Sequence, residues 1–174
     1  MATDSIVYRD ITSPLGDMIA GATDNGVCFL EWHDRGGVER IKKRVEKRYR
    51  LPLTPGNNSH LDELEEEVTR YFDGKLKEFS VALDIKGTPF ERSTWDQLLA
   101  IPYGKTRSYG EMADLLGKPR ASRAVGRANG ANYISIVVPC HRAIETNGGL
   151  GGYGGGIQRK RYLLDLEAEK QGQA

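Results

Sequence analysis

The chain has 174 residues, of which 39% are hydrophobic and 28% are charged. This balance can bury a core and excludes disorder over most of the length. The sequence contains no run of about 18 apolar residues, and Met1 to Asp10 lacks a basic head followed by an apolar stretch, so neither membrane insertion nor export is predicted. We therefore expect a folded, cytoplasmic protein of one domain or two small ones.

Charge is distributed unevenly along the chain, although the formal net charge is only +1. Residues 1–86 carry 13 basic and 16 acidic side chains, whereas residues 87–174 carry 12 basic and 8 acidic ones. An anionic partner is therefore expected on the second half, although a basic face is also commonly just solvated.

The first half of the chain predicts a small sheet with helices. Three β-rich stretches come first, namely Ser5–Arg9, Asp17–Thr23 and Val27–Trp32. The residues between the last two, Asp24-Asn25-Gly26, are typical of a hairpin turn. Helical periodicity covers Val38–Tyr49 and Ser59–Phe72, and Phe79–Ile85 then predicts a returning strand. No cluster of residues in this half suggests chemistry.

Local signals mark three helices in the second half. Thr88-Pro89-Phe90-Glu91 combines a cap, a proline at the first helical position and a glutamate three residues past the cap, which predicts a helix to about Ala100. Ser108-Tyr109-Gly110-Glu111 repeats the capping pattern before a short helix through Leu116, closed by Gly117. A third helix over Ala121–Asn129 completes a predicted helix-turn-helix.

The remaining segments complete the predicted fold. An apolar run, Ile134–Val138, predicts a strand ending at Pro139, and a closing helix is predicted over Gln158–Glu169. Between them, seven of the nine residues from Gly148 to Gly156 are glycine. The predicted fold class is α+β. An N-terminal domain at 1–86 has a small antiparallel sheet with helices, and a C-terminal domain at 87–174 is mostly helical with a winged-helix-like helix-turn-helix.

Cys140 is the candidate nucleophile. A lone cysteine at the end of an apolar strand is more often an inert core residue. A thiol is mostly protonated at neutral pH, however, and His141 and Arg142 supply a base and a positive charge next to it. The other cysteine, Cys28, lies far away in sequence, and both are expected as free thiols in a reducing compartment.

The glycine-rich segment has two interpretations. It is either a flexible linker or a wall where backbone N–H groups approach a ligand closely. In the second case Tyr153, in the middle of the segment, would stack on a flat group.

Several separated motifs resemble one known family. Val138-Pro139-Cys140-His141-Arg142, preceded by Asn132 and followed by Gly152-Tyr153-Gly154-Gly155-Gly156, resembles the active-site signature of the O6-alkylguanine-DNA alkyltransferases, also called methylated-DNA–protein-cysteine methyltransferases. The resemblance extends from about Phe90 to Glu167, and the first half resembles the companion domain of that family. Ala143 and Gly154 depart from the pattern, where a branched apolar residue and a serine are common.

The resemblance implies a role for each matched residue. Cys140 accepts the alkyl group, His141 takes the thiol proton through a bound water, and Glu167 orients His141. Asn132 holds the turn that carries the nucleophile, and Tyr109 donates to a guanine ring nitrogen. The residues implied to contact substrate or DNA are Arg123 as the finger that fills the base stack, Ala121, Ser122, Tyr153, Gly154, Gly155 and Arg142.

The implied activity is the irreversible transfer of an alkyl group from O6 of guanine, and from O4 of thymine, to Cys140 after the base is turned out of the duplex. The implied partner is the minor groove of double-stranded DNA, bound by a monomer with possible cooperativity and without a cofactor. No metal is predicted, because Cys28, His33 and His60 lack recognisable ligand spacing. Two alternatives stay open: a non-catalytic alkyltransferase-like lesion-binding protein, which would lack the nucleophile, and a cysteine hydrolase using Cys140, His141 and Glu167.

Overall fold

The computed structural model describes residues 4–171 and divides the chain into two compact units that meet in sequence at Lys86 and Gly87. The α+β fold class predicted from the sequence is confirmed, with a small sheet and two helices in the first unit and a mostly helical second unit. Among the described residues, no helix is long and apolar enough to cross a membrane.

The sheet of the first unit has four strands in the order β3-β2-β1-β4. They span Ile6–Ile11 (β1), Met18–Thr23 (β2), Gly26–Trp32 (β3) and Leu53–Pro55 (β4). The first three pair antiparallel, with the predicted hairpin turn between β2 and β3, but β4 pairs parallel to β1. The sheet is therefore mixed, and the prediction of a purely antiparallel sheet is wrong because the short fourth strand was missed.

Two amphipathic helices accompany the sheet. Helix α1 spans Val38–Tyr49 and buries Ile41, Val45 and Tyr49, one residue per turn. Helix α2 spans Ser59–Phe72 and begins where the Asn58 side chain accepts a hydrogen bond from the Leu61 N–H. Both helices have the bounds that the periodicity predicted.

The predicted strand over Phe79–Ile85 is wrong, because only Leu83 forms a bridge, to Val27. The carboxylate of Glu67 accepts hydrogen bonds from the backbone N–H groups of Ser80 and Val81 at 2.9 to 3.1 Å. These two donors are therefore not available for a strand ladder. The apolar content of this segment did not reveal that the Glu67 side chain would accept the hydrogen bonds of its backbone N–H groups.

The second unit contains four helices and a two-stranded parallel sheet among its described residues. The helices span Pro89–Leu99 (α3), Tyr109–Leu115 (α4), Ser122–Gly130 (α5) and Ile157–Lys170 (α6), and the strands span Arg107–Ser108 (β5) and Ala143–Ile144 (β6). The Thr88 capping box is present, Ser108 caps α4, and Gly117 follows α4 with a φ of 72°. The helix-turn-helix is thus formed by α4 and α5.

The predicted strand over Ile134–Val138 is also wrong. Tight turns replace it, with hydrogen bonds from the Val137 N–H to the Ser135 carbonyl and from the Val138 N–H to the Ile134 carbonyl. All five residues are buried, so the apolar character of the four other than Ser135 reflects burial and not pairing in a sheet. This turn carries the chain directly into Cys140.

Candidate active site

Cys140 lies at the first position of a single 3₁₀ turn, Cys140–Arg142, and is 5% exposed. Asn132 holds the preceding segment: its Nδ2 donates to the Val138 carbonyl at 2.9 Å, and its Oδ1 accepts from the Ile134 N–H at 2.9 Å. The buried Asn132 amide thus supplies hydrogen bonds to a backbone carbonyl and a backbone N–H of the turn. This arrangement fits the turn-holding role that the resemblance implied for Asn132.

The same turn contains an unusual backbone conformation at Ile136. Its φ is 72°, in the left-handed region, and the residue is 1% exposed. A β-branched residue in this region costs of the order of 1–2 kcal/mol, because its Cβ crowds the neighbouring carbonyl. The segment in front of Cys140 is therefore strained, and the bonds to Asn132 help to hold it.

His141 and Glu167 are in direct contact, which is the geometry expected if the Glu167 carboxylate orients the His141 imidazole. The His141 Nε2 lies 2.6 Å from a carboxylate oxygen of Glu167, and both side chains are buried. Since a carboxylate can only accept, Nε2 carries the hydrogen of the bond. In a neutral ring Nδ1 is then the lone-pair nitrogen, and it is buried without a hydrogen-bond partner among the described atoms.

The ring of His141 is held in its neutral form. Burial lowers its pKa first of all, and the charges of Arg142 and Lys160 lower it further, against the opposing effect of Glu167. A neutral imidazole at physiological pH can take up a proton, which is what a general base requires.

Glu167 remains ionised in the interior. Burial by itself would raise its pKa, but hydrogen bonds and charges from His141 and Arg142 lower it to about 2. Arg142 donates to both carboxylate oxygens, from Nε at 2.8 Å and from Nη2 at 3.1 Å, and the Gly104 N–H adds a bond at 3.2 Å. The carboxylate is therefore held in one position and stays negatively charged.

The DNA contact predicted for Arg142 does not fit this arrangement. The side chain is buried, and its remaining Nη1 donates to the Ile101 carbonyl at 2.8 Å. A guanidinium committed to Glu167 and to a backbone carbonyl positions the carboxylate and does not reach towards phosphate. The sequence shows that Arg142 follows His141, but it does not show in which direction the side chain points.

Tyr109 begins α4 and is partly buried near Cys140. Burial raises its pKa, as does the negative charge of Cys140, while an interaction with the Asn129 amide lowers it. The phenol is therefore protonated at neutral pH and can donate. A Cβ placed on Gly151 would lie 3.4 Å from the phenol oxygen, so the glycine-rich segment lies against Tyr109.

The glycine-rich segment also approaches His141. The rings of Tyr153 and His141 meet edge to face, with centroids 6.5 Å apart and planes at 84°. Gly154 is exposed and Gly155 is buried, with the Gly155 carbonyl accepting from Arg159. Tyr109 thus lies near Cys140, and Tyr153 contacts the ring of His141, the residue that follows Cys140.

Sequence reasoning missed Lys160. Its buried ammonium donates to the carbonyls of Ala143 at 2.6 Å and Gly152 at 3.2 Å, so it joins the residue after the 3₁₀ turn to the glycine-rich segment. Burial lowers its pKa to about 8, partly offset by the charges of Cys140 and Glu145. Helical spacing carried a signal, because Lys160 shares one face of α6 with Leu163 and Glu167.

A second missed residue is Asn129, at the end of α5. Its side chain is buried, and its Nδ2 donates to the Cys140 carbonyl at 3.3 Å. The spacing of Val125 and Asn129, four residues apart, was the available signal for a shared buried face.

The residues predicted to read DNA lie at the N-terminal end of α5. Ala121 precedes the helix, Ser122 begins it, and Arg123 is exposed. The helix is anchored by a hydrogen bond of 2.8 Å from the Trp95 indole N–H to the Ala128 carbonyl. An exposed arginine on an anchored helix is available to a partner, whereas Cys140, His141 and Glu167 are not at the surface. Among the described residues, no group of three or more His, Cys, Asp or Glu side chains could hold a metal ion.

Comparison with known protein families covers both units. Residues 6–85 match "6-O-methylguanine DNA methyltransferase, ribonuclease-like domain", and residues 89–169 match "6-O-methylguanine DNA methyltransferase, DNA binding domain". The two matches follow one another in the order of the two compact units. The class defined by fold and site is therefore a two-domain DNA alkyltransferase.

Individual relatives are similar to this chain over nearly its whole length. A Mycolicibacterium paratuberculosis methylated-DNA–protein-cysteine methyltransferase is 57% identical, over 93% of this chain and 92% of that protein. The Mycobacterium tuberculosis protein of the same name is 46% identical, over 95% and 94%. The crystal structure of M. tuberculosis OGT in complex with DNA has a TM-score of 0.81 at 43% identity, covering 94% of each chain. The chain belongs to the methylated-DNA–protein-cysteine methyltransferase family, which confirms the family resemblance.

Proposed function

We propose that this protein repairs alkylated DNA by moving the alkyl group from O6 of guanine to the sulfur of its own Cys140, once per chain. The observation that carries the proposal is the buried His141–Glu167 pair next to Cys140, with a neutral imidazole whose Nδ1 is left as a lone-pair acceptor. Such a base has no structural use in a core, where an unpartnered buried nitrogen is a cost.

Access to the lesion comes first. An alkyl group on O6 lies inside the duplex, so the nucleotide must rotate out at a cost of a few kcal/mol. We assign Arg123 to the vacated stack, since it is exposed at the start of α5, and Ala121 and Ser122 to close contact with the minor groove. The solved M. tuberculosis complex with DNA supports a DNA partner for this family. The protein would act as a monomer, because one chain carries all the groups that the reaction uses.

Proton removal and alkyl transfer follow at Cys140. The thiol proton of Cys140 passes through a water to His141 Nδ1, and the imidazolium so formed is stabilised by the Glu167 carboxylate. The thiolate then attacks the alkyl carbon, so that the S–C bond forms as the C–O6 bond breaks. Tyr109 supplies a proton to a ring nitrogen of the departing purine, and the Gly154–Gly155 backbone and Tyr153 hold the base.

The product is a thioether, which has no activated leaving group, and the sulfur is therefore not regenerated. O4-alkylthymine presents the same alkyl–oxygen bond and is proposed as a second substrate. A non-catalytic lesion binder would have no use for the activated Cys140, and a cysteine hydrolase would release product and turn over.

The experiment is to incubate the protein with duplex DNA that contains O6-methylguanine and to measure the mass of the intact chain. We expect the mass to rise by one methyl group per chain, with Cys140→Ser abolishing the gain and the matched variant Cys28→Ser retaining it. Restored DNA with unmodified protein, or more than one lesion repaired per chain, would refute the proposal.

A further inference from the structure

A short parallel ladder joins the segment after Cys140 to the start of α4. Strand β6 begins three residues after Cys140, and its two residues pair with the two residues of β5, with Ser108 opposite Ile144. Tyr109 comes directly after Ser108, where the chain leaves the ladder and begins α4. The ladder therefore holds the chain immediately before Tyr109 against the chain that follows Cys140.

A side-chain hydrogen bond continues the same register beyond the ladder. The Gly110 N–H donates to Oγ1 of Thr146 at 3.2 Å, and these two residues are 36 positions apart, as are the paired Ser108 and Ile144. The backbone of Gly110 is already helical, so the threonine hydroxyl takes the place of a ladder partner. Tyr109 thus lies between two connections to one segment, one on each side of it.

The close approach of Thr146 explains the glycine at position 110, whereas helix stability does not. Glycine inside a helix is less favourable than alanine, because it loses more backbone freedom on folding. A Cβ on Gly110 would lie 2.9 Å from Oγ1 of Thr146 and 3.4 Å from its Cγ2, and the first distance is too short for a real contact. The missing side chain at position 110 therefore lets the Thr146 hydroxyl reach the helix backbone.

The hydroxyl of Thr146 also satisfies a backbone donor at the beginning of α4. The first N–H groups of a helix have no acceptor within the helix. Oγ of Ser108 accepts from the Glu111 N–H at 3.0 Å, and Oγ1 of Thr146 accepts from the Gly110 N–H. Two hydroxyls from separate segments therefore hold the turn from which the side chain of Tyr109 projects.

We propose that Thr146 is a positioning residue for Tyr109, whose hydroxyl holds the first turn of α4 so that the phenol is directed at the departing base. The inference rests on the proposed function, in which Tyr109 supplies a proton to a ring nitrogen of the purine. Thr146 itself is exposed, and among the described residues its hydroxyl bonds only to the Gly110 N–H, so it acts through the backbone. A small shift of the helix start would displace the phenol oxygen, and small misplacements of a reacting group slow a reaction.

A double-mutant cycle tests the coupling of Thr146 to Tyr109. Single-turnover alkyl transfer from O6-methylguanine duplex is measured for the unaltered protein, Thr146→Val, Tyr109→Phe and the double variant. Valine keeps the shape of the side chain and removes the acceptor. We expect Thr146→Val to slow transfer about fivefold with Tyr109 present and less than about twofold in the Tyr109→Phe background, because groups that act as a unit are not additive.

Two control variants separate the hydroxyl from its surroundings. Thr146→Ser keeps the acceptor and should transfer within about twofold of the unaltered rate. Asn147→Ala should also leave the rate unchanged, since Asn147 is the next exposed residue and its side chain bonds to the Gly149 N–H and not to α4.

Substitution of Gly110 tests the same contact from its other side. Gly110→Ala should slow transfer, because its methyl group would displace the Thr146 hydroxyl. Thr146→Ala removes both atoms that this methyl group would meet. The double variant Gly110→Ala/Thr146→Ala should therefore be no slower than Thr146→Ala alone.

Two further substrates separate positioning from DNA binding and from folding. Free O6-benzylguanine needs no DNA contact, so its transfer should slow in Thr146→Val by the same factor as transfer from duplex. Iodoacetamide alkylates Cys140 without a proton donor, and its rate should change by less than about twofold. The melting temperature of Thr146→Val should stay close to that of the unaltered protein.

Two results would overturn the role of Thr146 alone. One is an equal loss from Thr146→Val with and without the Tyr109 hydroxyl. The other is a loss confined to duplex DNA, which would make Thr146 a DNA contact. Absence of alkyl transfer in the unaltered protein would overturn the proposed function and this inference together.

Discussion

At the scale of single residues, the site is organised around one buried anion. Glu167 accepts hydrogen bonds from His141, from two nitrogens of Arg142 and from the Gly104 backbone. The arginine compensates its charge, so the histidine stays neutral while it is oriented. Removing one member of a buried ion pair typically costs about 3–5 kcal/mol, because the other charge remains without compensation.

Glu167 should determine how the protein responds to acid. Its folded pKa of about 2 lies below the ordinary value of 4.5, so the stability that it contributes is complete above about pH 4.5 and is lost as the pH falls towards 2. Glu167→Gln should therefore lower the melting temperature at pH 7 and flatten its decline between pH 4.5 and 2. Thermal unfolding followed across this range checks the expectation. Glu169→Gln, an exposed carboxyl on the same helix, is the control, and a decline parallel to that of Glu167→Gln would contradict the assignment.

At the residue scale, the family resemblance in the sequence predicts Cys140, His141 and Glu167 as one set of catalytic residues. The structure brings His141 and Glu167 into contact, and the catalytic roles stay a prediction. The sequence did not reveal the inward direction of Arg142 or the positive φ of Ile136, because both depend on packing that a local pattern does not encode.

At the scale of elements, helix ends were predictable, whereas the backbone of the two apolar segments predicted as strands was not. The Thr88 and Ser108 caps and the Gly117 stop act within three or four residues, so their effect is visible in the sequence. The segments 79–85 and 134–138 are apolar enough for strands, but side chains of Glu67 and Asn132 bind their backbones instead. Glu67 lies 14 residues from Val81, and Asn132 lies 6 residues from Val138. The alternation pattern of a strand does not reveal partners at these separations.

The glycine-rich segment should tolerate substitution differently at two of its glycines. Gly151 has a φ of 74°, and a Cβ there would lie 3.1 Å from the Glu145 side chain and 3.4 Å from Tyr109. Gly148 has a φ of 91° and open space around its Cβ. Both alanine variants should lose about 1 kcal/mol of stability, because alanine is strained at positive φ.

Only Gly151→Ala should also slow alkyl transfer, by several fold, because its Cβ would crowd the Glu145 side chain at 3.1 Å and add a contact with Tyr109 at 3.4 Å. Urea unfolding and transfer from free O6-benzylguanine measure the two effects separately. Equal transfer rates for Gly151→Ala and Gly148→Ala would show that contact with Tyr109 does not matter.

At the scale of the whole molecule, the two units differ in the sign of their net charge. The second unit carries the excess of basic residues, and α5 exposes Arg123 and Arg127. The first unit is acidic overall, although α1 exposes Lys43 and Lys47. The family match assigns DNA binding to residues 89–169.

Salt dependence of DNA binding tests this division. Each phosphate contact contributes about 0.9 to the slope of log affinity against log salt concentration. Arg123→Ala and Arg127→Ala should each reduce the slope by about that amount, whereas Lys43→Ala and Lys47→Ala should leave it unchanged. Fluorescence anisotropy with labelled duplex between low and moderate salt provides the measurement. A reduced slope for the α1 variants would mean that the first unit also contacts phosphate.

The chemistry of the second cysteine also follows from its surroundings. Cys28 is buried in β3, and burial, followed by the charge of Asp84, raises the pKa of its thiol. A thiol that stays protonated does not compete for electrophiles. In the native state, a fluorescent benzylguanine probe should therefore label one sulfur per molecule, and the dye incorporated would give the fraction of a preparation that is still competent.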